Sequence, residues 1–338
     1  MTKVLSVVGN RPQFIKSAPL SVALRNAGID EVVLHTGQHW DPEMSQVFFD
    51  ELGLPEPAYR LDLRTSDAVA MTAPIREVVE SERPDWVLVY GDTNSTLAGA
   101  HAAGEEVPVA HVEAGLRSFD LSMPEERNRV EVDRMSALLL CPDERSAGQL
   151  EQEGVPGRRE VVGDVMGDAT RLFEPAARRL ELPHVPPYTV LTIHRQANTE
   201  ADRLRSIVAA VNAVERRFVF PVHPRTRQAL DAYGLRLRPH VDAVEPLGYL
   251  EMLALVAEAD AVVTDSGGLQ KEAYWLHVPC VTVRSSTEWV DTVAAGANRL
   301  TEPAGLVAAL EEARFPADAP PLYGDGHASE RIAAALYA

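Results

Sequence analysis

The feature that most constrains this chain is the form of its apolar runs. Lys3–Val8 (KVLSVV), Glu31–His35, Asp85–Tyr90 (DWVLVY), Val107–Val112 (VPVAHV) and Ala137–Cys141 are short, rich in β-branched residues and apolar without strict alternation. A strand with one face in water alternates apolar and polar residues, whereas runs like these suit strands buried on both faces, as in a parallel sheet covered by helices. Helical patterns fall between them, at Phe14–Asn26, Pro42–Leu52 and Ala68–Glu82. The order βαβα predicts a doubly wound α/β fold.

A second series begins after the proline-rich stretch Pro183–Pro187, with strands expected at Thr189–Ile193, Phe218–Val222, Val241–Val244, Ala261–Thr264 and Cys280–Val283. At roughly 150 residues per domain, 338 residues make two domains. The expectation is therefore an α/β chain of two Rossmann-like, doubly wound domains facing across a cleft. The boundary falls within 164–187, and a last helix, Gly326–Tyr337, follows a loop rich in Pro and Gly.

Composition closes off several functions. The 50 acidic residues against 32 Lys and Arg give a formal charge of −18. That argues against a nucleic-acid-binding surface and against tethering to anionic lipid. Cys141 and Cys280 stand far apart at the ends of apolar runs and read as small buried hydrophobes rather than a disulfide or a zinc site. No apolar stretch reaches the roughly 18 residues of a membrane span, and the N-terminus turns polar too early for a signal peptide. A cytoplasmic protein is expected.

In an open α/β sheet the ligand lies beyond the carboxyl ends of the strands, so the residues following each expected strand matter most. They are Gly9–Lys16 (GNRPQFIK), Gly91–Thr96 (GDTNST), Glu113–Ser118 (EAGLRS), His194–Asn198 (HRQAN), His223–Arg227 (HPRTR) and Asp265–Ala273 (DSGGLQKEA). Polar and charged residues recur there. In DSGG, Ser266 followed by Gly267 and Gly268 opens a helix and presents backbone N–H groups and a helix-dipole terminus to a phosphate; the alternative is an ordinary Ser N-cap. Glu272 is placed to accept from a ribose, or else is a solvated helix residue.

The pattern is not GxSxG, so a nucleophilic serine is not expected. Neither G-x-G-x-x-G nor a P-loop is present, nor a D-x-D triplet to present two carboxylates to a metal–diphosphate. His35 and His39 fall on a loop after a strand, a poor metal site. Arginine must then neutralise any diphosphate, and Arg11 is well placed for bidentate contacts. The acidic candidates are Asp92, Glu113, Glu125 and Glu126, with Asp92 alternatively a cap for a helix Asn94–Gly104. With His194 and His223 from the second half, they form a constellation suited to acid–base work beside a nucleotide leaving group.

Taken together, GNRPQFIK, HTGQH, GDTNSTLAG, HVEAGLRS, MPEERNR, VGDVMGD, HR–N, HPRTR, TDSGGLQKEA, STEW and YGDGHAS span residues 9 to about 332. In that order they resemble the non-hydrolysing UDP-N-acetylglucosamine 2-epimerases, including the branch acting on UDP-2,3-diacetamido-2,3-dideoxyglucuronate. The resemblance implies a glycosyltransferase-B-like fold with a sugar and acid–base domain at 1–166, a UDP-binding domain at 167–320, and a helix at 321–338 crossing back to the first. It implies interconversion of UDP-GlcNAc and UDP-ManNAc through elimination of UDP to 2-acetamidoglucal and re-addition. No cofactor, metal or nicotinamide is implied, and the protein is expected to be a homodimer.

Carried over by residue, Arg11, His223, Ser266, Gly267 and Gly268 would bind the diphosphate and Glu272 the ribose. Lys16 and Arg129 would line the sugar, and Asp92, Glu113, Glu125 and His194 would supply acid–base groups, Asp92 first as the base. Two positions depart from the family pattern. Gln196 replaces a second Arg used by many bacterial members in an allosteric substrate site, so such activation is not expected. Thr287–Asp291 (TEWVD) replaces the commoner TERPE, which, with QKEA, points toward the diacetamido-uronate branch. The remaining alternatives are a hydrolysing epimerase, a glycosyltransferase of the same fold type with an acceptor site, and a non-catalytic UDP-sugar sensor.

Overall fold

The apolar runs become strands because their side chains can be buried on both sides of a sheet. In a computed structural model describing residues 1–38, 49, 51, 52 and 54–337, the first series forms β1 (Lys3–Val8), β2 (Asp30–His35), β3 (Tyr59–Arg60), β4 (Trp86–Tyr90), β5 (Val109–Val112), β6 (Leu138–Cys141) and β7 (Arg158–Val161). The second forms β8 (Thr189–Thr192), β9 (Phe218–Pro221), β10 (Val241–Val244), β11 (Ala261–Thr264), β12 (Cys280–Thr282) and β13 (Asn298–Leu300). The expected helix Pro42–Leu52 falls mostly outside the described residues.

The chain divides into two compact units, residues 1–172 with 323–338, and residues 173–322. Unit 1 has a seven-stranded sheet in the order β3-β2-β1-β4-β5-β6-β7, unit 2 a six-stranded one in the order β10-β9-β8-β11-β12-β13. Neighbouring strands pair in parallel throughout. Each sheet reverses its winding once, between β1 and β4 and between β8 and β11. Those reversals are the switch points where open α/β sheets bind ligands.

Three strands were not expected from the sequence: β3, β7 and β13. β3 and β7 close the edges of their sheet and β13 an edge of the other, and they read YR, RREV and NRL, with at least one arginine each. An edge strand packs on fewer neighbours and needs no continuous apolar run, so an apolar-run search passes over it.

In unit 1 the core packs Leu5, Val7, Val87 and Val89 of the central strands against Met71, Ile75, Val78 and Val79 of the helix Ala68–Glu82. In unit 2 Leu191, Ile193, Val263 and Val281 pack against Leu204, Ile207, Val208 and Val211 of the helix Ala201–Ala213. Cys141 and Cys280 are free and buried, and burial pushes both thiols up to about 12. The last helix, Ala328–Ala335, packs on the helix Arg11–Asn26 of unit 1. Its first turn is satisfied by a remote cap: Ala328 and Ser329 donate their N–H groups to the Asp168 carboxylate at 3.0 and 2.6 Å.

Backbone packing is tight where loops leave the strands. Gly115, just beyond β5, has φ +84°, and a Cβ there would lie 2.4 Å from the Ser146 carbonyl oxygen. Gly154 has φ +63° with open space around it. Gly115→Ala adds a collision with rigid backbone to left-handed strain and is expected to cost roughly 3 kcal/mol or more. Gly154→Ala bears the strain alone, about 1 kcal/mol. Urea denaturation of the two variants should show that difference.

Candidate active site

In unit 1 the first turn of the helix Arg11–Asn26 begins directly after β1. Asn10 caps it, accepting from the Gln13 N–H at 3.3 Å, with Pro12 in the first turn. Gln13 is buried and ties this turn to the next switch-point loop. Its amide oxygen accepts from Gly9 N at 2.7 Å, and its amide nitrogen donates to the Tyr90 carbonyl and the Thr93 and Thr96 hydroxyls, each at 3.0 Å. The cap of the helix Asn94–Ala103 is Thr93, in a capping box with Thr96, so Asp92 is not needed as a cap.

Asp92 instead forms an ion pair with Arg129, whose other arm donates to Glu126 at 2.7 Å. Next to it, Lys16 pairs with Glu113, and these two side chains are only 11% and 13% exposed. Burial works to lower the Lys16 pKa, but the Glu113 carboxylate, with smaller pulls from Asp164 and Asp92, more than offsets it and holds the ammonium above its ordinary value. For Asp92 burial is the largest influence and raises the carboxyl above its ordinary value, aided by Glu113 and Glu125 and opposed by Arg129 and Lys16. Glu113 adopts φ +72°, a strained conformation for such a side chain.

Arg11, Lys16, Asp92, Glu113 and Arg129 therefore all follow β1, β4 and β5 or pair with residues that do. Glu125 is exposed in the first turn of the helix Pro124–Met135 and acts on Asp92 only through its charge. Its neighbour Glu126 is the buried one, 1% exposed. It accepts from the backbone of Ser118 at 3.0 Å and Phe119 at 2.9 Å, so it shapes the loop before the helix.

In unit 2, Ser266 caps the helix Gly267–Trp275, accepting from Leu269 N at 3.3 Å. The ordinary N-cap reading of Ser266 thus holds, and it is compatible with anion binding: Gly267 and Gly268 occupy the first turn, where backbone N–H groups lack intrahelical acceptors. A Cβ on Gly267 would lie 3.4 Å from the Trp289 indole nitrogen, whereas one on Gly268 would meet no protein atom within 4 Å. Glu272 is half-buried on the same helix. The rings of His194 and His223 lie 5.8 Å apart. His223 caps its own helix, its Nδ1 accepting from Arg225 N at 3.2 Å.

The residue that organises this half, Asp265, was quoted in a motif yet given no role from sequence. It is fully buried and accepts from the backbone of His194 at 3.0 Å and of Arg195 at 2.9 Å, and from the Asn198 amide at 3.0 Å. It also accepts from His194 Nδ1 at 3.0 Å, which leaves Nε2 as the outward ring nitrogen. Burial works against its charge, but the hydrogen bond and charge of His194, then Asn198 and the Arg195 N–H, hold the carboxyl below its ordinary range. Its position directly after an apolar strand and before Ser-Gly-Gly was the available signal.

The departure at Thr287–Asp291 also has a structural account. The Lys271 ammonium, on a residue 3% exposed, lies 3.9 Å from the centre of the Trp289 ring and 5.7 Å from that of Trp275. A desolvated cation over an indole face is worth about 2 kcal/mol. An arginine at 289 would instead set two cations side by side. Among the described residues, no group of three or more His, Cys, Asp or Glu is arranged to hold a metal, and no helix is long and apolar enough to cross a membrane.

Two outcomes are expected. A carboxyl held low in the folded state contributes stability that is present above its unfolded value, about pH 4, and is lost as pH falls through the lower folded value. Asp265→Asn should therefore be less stable than wild type by roughly 1–3 kcal/mol near neutrality, with the gap shrinking below about pH 4 in denaturation curves taken across pH. Gly268→Ala should keep or slightly raise stability, since nothing in the protein meets the new methyl group. Calorimetric titration with UDP should nevertheless show at least about tenfold weaker binding, because the methyl occupies the approach to the helix terminus.

Residues 22–337 match the family model described as UDP-N-acetylglucosamine 2-epimerase. The UDP-2,3-diacetamido-2,3-dideoxy-D-glucuronate 2-epimerase of Pseudomonas aeruginosa is 44% identical, covering 98% of each chain. A UDP-N-acetylglucosamine 2-epimerase homolog of Methanococcus maripaludis is 45% identical over 88% of each. Among solved structures, the Methanocaldococcus jannaschii UDP-GlcNAc 2-epimerase in complex with UDP-GlcNAc and UDP superposes with a TM-score of 0.89 at 37% identity, covering 99% of each chain. With two Rossmann-like sheets of the glycosyltransferase-B-like kind and this likeness over nearly its whole length, the chain belongs to the UDP-N-acetylglucosamine 2-epimerase family.

Proposed function

We propose that this chain is a non-hydrolysing epimerase that inverts C2 of a UDP-linked 2-acetamido sugar, interconverting UDP-GlcNAc and UDP-ManNAc. The observation that carries the reading is the pair of adjacent carboxylates at the ends of β4 and β5. Asp92 is paired with Arg129 and Glu113 with Lys16 in a largely buried setting. Around an intact sugar the C2 proton is poorly acidic. Departure of UDP from C1 builds positive charge beside C2 and makes that proton easier to remove.

In the forward direction a carboxylate takes the C2 proton, the C2–H electrons form the C1=C2 double bond, and the C1–O electrons leave with UDP. Return of a proton to the opposite face of C2 and re-addition of UDP at C1 complete the inversion with no net change in protons. A carboxyl raised above its ordinary pKa by burial is a stronger base than one in water, which favours Asp92 as the base. Glu113, with Lys16 beside it, and Glu125 are its partners. Arg11, His223, Ser266 and the N–H groups of Gly267 and Gly268 stabilise the departing diphosphate. His194 Nε2 serves the leaving oxygen and Glu272 the ribose. Keeping the glycal and UDP together removes the entropy cost of a second encounter. A homodimer in the cytoplasm belongs to the same proposal and rests on the family resemblance alone.

A second reading keeps the chemistry and changes the sugar to UDP-2,3-diacetamido-2,3-dideoxyglucuronate. It is favoured by the 44% identity to the Pseudomonas aeruginosa enzyme of that name and by the pairing of Lys271, in QKEA, with Trp289, in the TEWVD departure from the commoner pattern.

Proton NMR of the purified protein with UDP-GlcNAc in D₂O, without added metal or cofactor, is expected to show UDP-ManNAc growing in with deuterium at C2. Free ManNAc with UDP would show hydrolysis instead. Inertness toward UDP-GlcNAc with C2 exchange on the diacetamido uronate would select the second reading.

A further inference from the structure

β5 reads Val-Ala-His-Val, and His111 lies in its middle with no exposure to solvent. An imidazole in the centre of a sheet is costly unless both ring nitrogens are satisfied, and both are. Nε2 lies 2.7 Å from the Gly91 carbonyl oxygen and Nδ1 lies 2.8 Å from Asp133 Oδ1. Asp133 is also fully buried. Burial works against its charge, but the hydrogen bond and charge of His111, followed by Arg117, hold it below its ordinary range. The Gly91 carbonyl oxygen can only accept, so Nε2 is the nitrogen that donates to it, while Nδ1 faces Asp133.

The network continues. Asp133 Oδ2 accepts from the Gly115 N–H at 3.2 Å and from Arg117 Nη1 at 2.7 Å. Arg117 in turn forks onto Glu153, at 2.9 and 2.8 Å. Its two backbone contacts lie on either side of the proton-transfer groups. Gly91 immediately precedes Asp92, and Gly115 follows two residues after the strained Glu113. Gly91 is also beneath the Lys16–Glu113 pair, since a Cβ on it would lie 3.4 Å from Glu113 Oε2 and 3.5 Å from Lys16 Nζ. A strained backbone persists only where its surroundings over-determine it, and this buried charged chain does so on both strands.

We propose that His111 and Asp133 are positioning residues for the epimerisation: His111 through the Gly91 carbonyl and Asp133 through the Gly115 N–H fix the aim of Asp92 and Glu113 without touching substrate. A buried ion pair stabilises a fold little better than packed apolar groups. What a Val or Leu at position 111 could not supply is a donor for Gly91. The proposal rests on the reading of Asp92 and Glu113 as the acid–base groups.

The test uses the full chain with His111→Ala and His111→Gln, each followed by thermal unfolding and assayed well below its transition. A Gln amide retains a donor for the Gly91 carbonyl, and Ala retains none. His111→Ala should lose about 100-fold in kcat while UDP affinity, to which His223, Ser266 and the Gly267 and Gly268 N–H groups contribute without contact to His111, changes less than about threefold. His111→Gln should recover at least about tenfold of that loss, because its donor restores the aim. Independently of turnover, a nitrogen–proton correlation spectrum of the histidine rings should show an Nε2–H signal sheltered from exchange that His111→Gln removes. Near-normal kcat in a folded His111→Ala, equal losses in both variants accompanied by weakened UDP binding, or the absence of a sheltered Nε2–H from His111 would each overturn the proposal. A wild-type protein that epimerises neither sugar would overturn the reading of Asp92 and Glu113, and this proposal with it.

Discussion

Each unit anchors strand-end loops on one fully buried aspartate. Asp265 collects N–H groups from the loop after β8 and the amide of Asn198, which also donates to the Val283 carbonyl beyond β12 at 3.1 Å. Asp133 collects the Gly115 N–H, the His111 ring and the Arg117 guanidinium. A parallel sheet covered on both faces leaves chemistry nowhere to go but the strand ends, and the loops there have backbone groups that no ladder satisfies. A carboxylate can accept several such donors at once, which is why one aspartate can hold a loop cluster that neutral side chains would leave partly unsatisfied.

The two units put this construction to different uses. In unit 2 the aspartate precedes the glycine-led helix terminus and orients His194, the placement on which the proposed binding of a diphosphate and its leaving oxygen relies. In unit 1 it backs a set of paired opposite charges, and the balance of burial against neighbouring charge moves Asp92 and Lys16 above their ordinary values. Two of the chain's three lysines, at 3, 16 and 271, are held in specific surroundings, Lys16 by Glu113 and Lys271 by two tryptophans. An ammonium is a compact point charge on a flexible stem, and each of the two meets its partners end-on.

Much of this was legible in one dimension. Strands β1 and β11 fall on the expected residues, because continuous apolar runs have few other ways to be buried; the edge strand β10 does so too, on the signal of its two valines. The polar residues placed after those runs are where the candidate groups cluster. The short edge strands β3, β7 and β13 were not legible, since arginine-bearing segments carry no burial signal. Nor was the distinction between Glu125 and Glu126, adjacent and chemically alike, of which only Glu126 turns inward. Asp92 had a plausible local role as a helix cap, and only the structure shows Thr93 filling it.

By itself, then, the sequence determined the class of fold, the number of strand series and which segments carry polar chemistry, because burial periodicity and glycine placement are local properties of the chain. Tertiary structure decided which charges meet. Lys16 and Glu113 are 97 residues apart, Asp92 and Arg129 are 37, and His194 and Asp265 are about 70. Those pairings arise from strand order, which brings β1, β4 and β5 side by side in one unit and β8 beside β11 in the other. The pKa directions follow from the same juxtapositions, since desolvation and Coulomb terms depend on distance in space and not on separation along the chain.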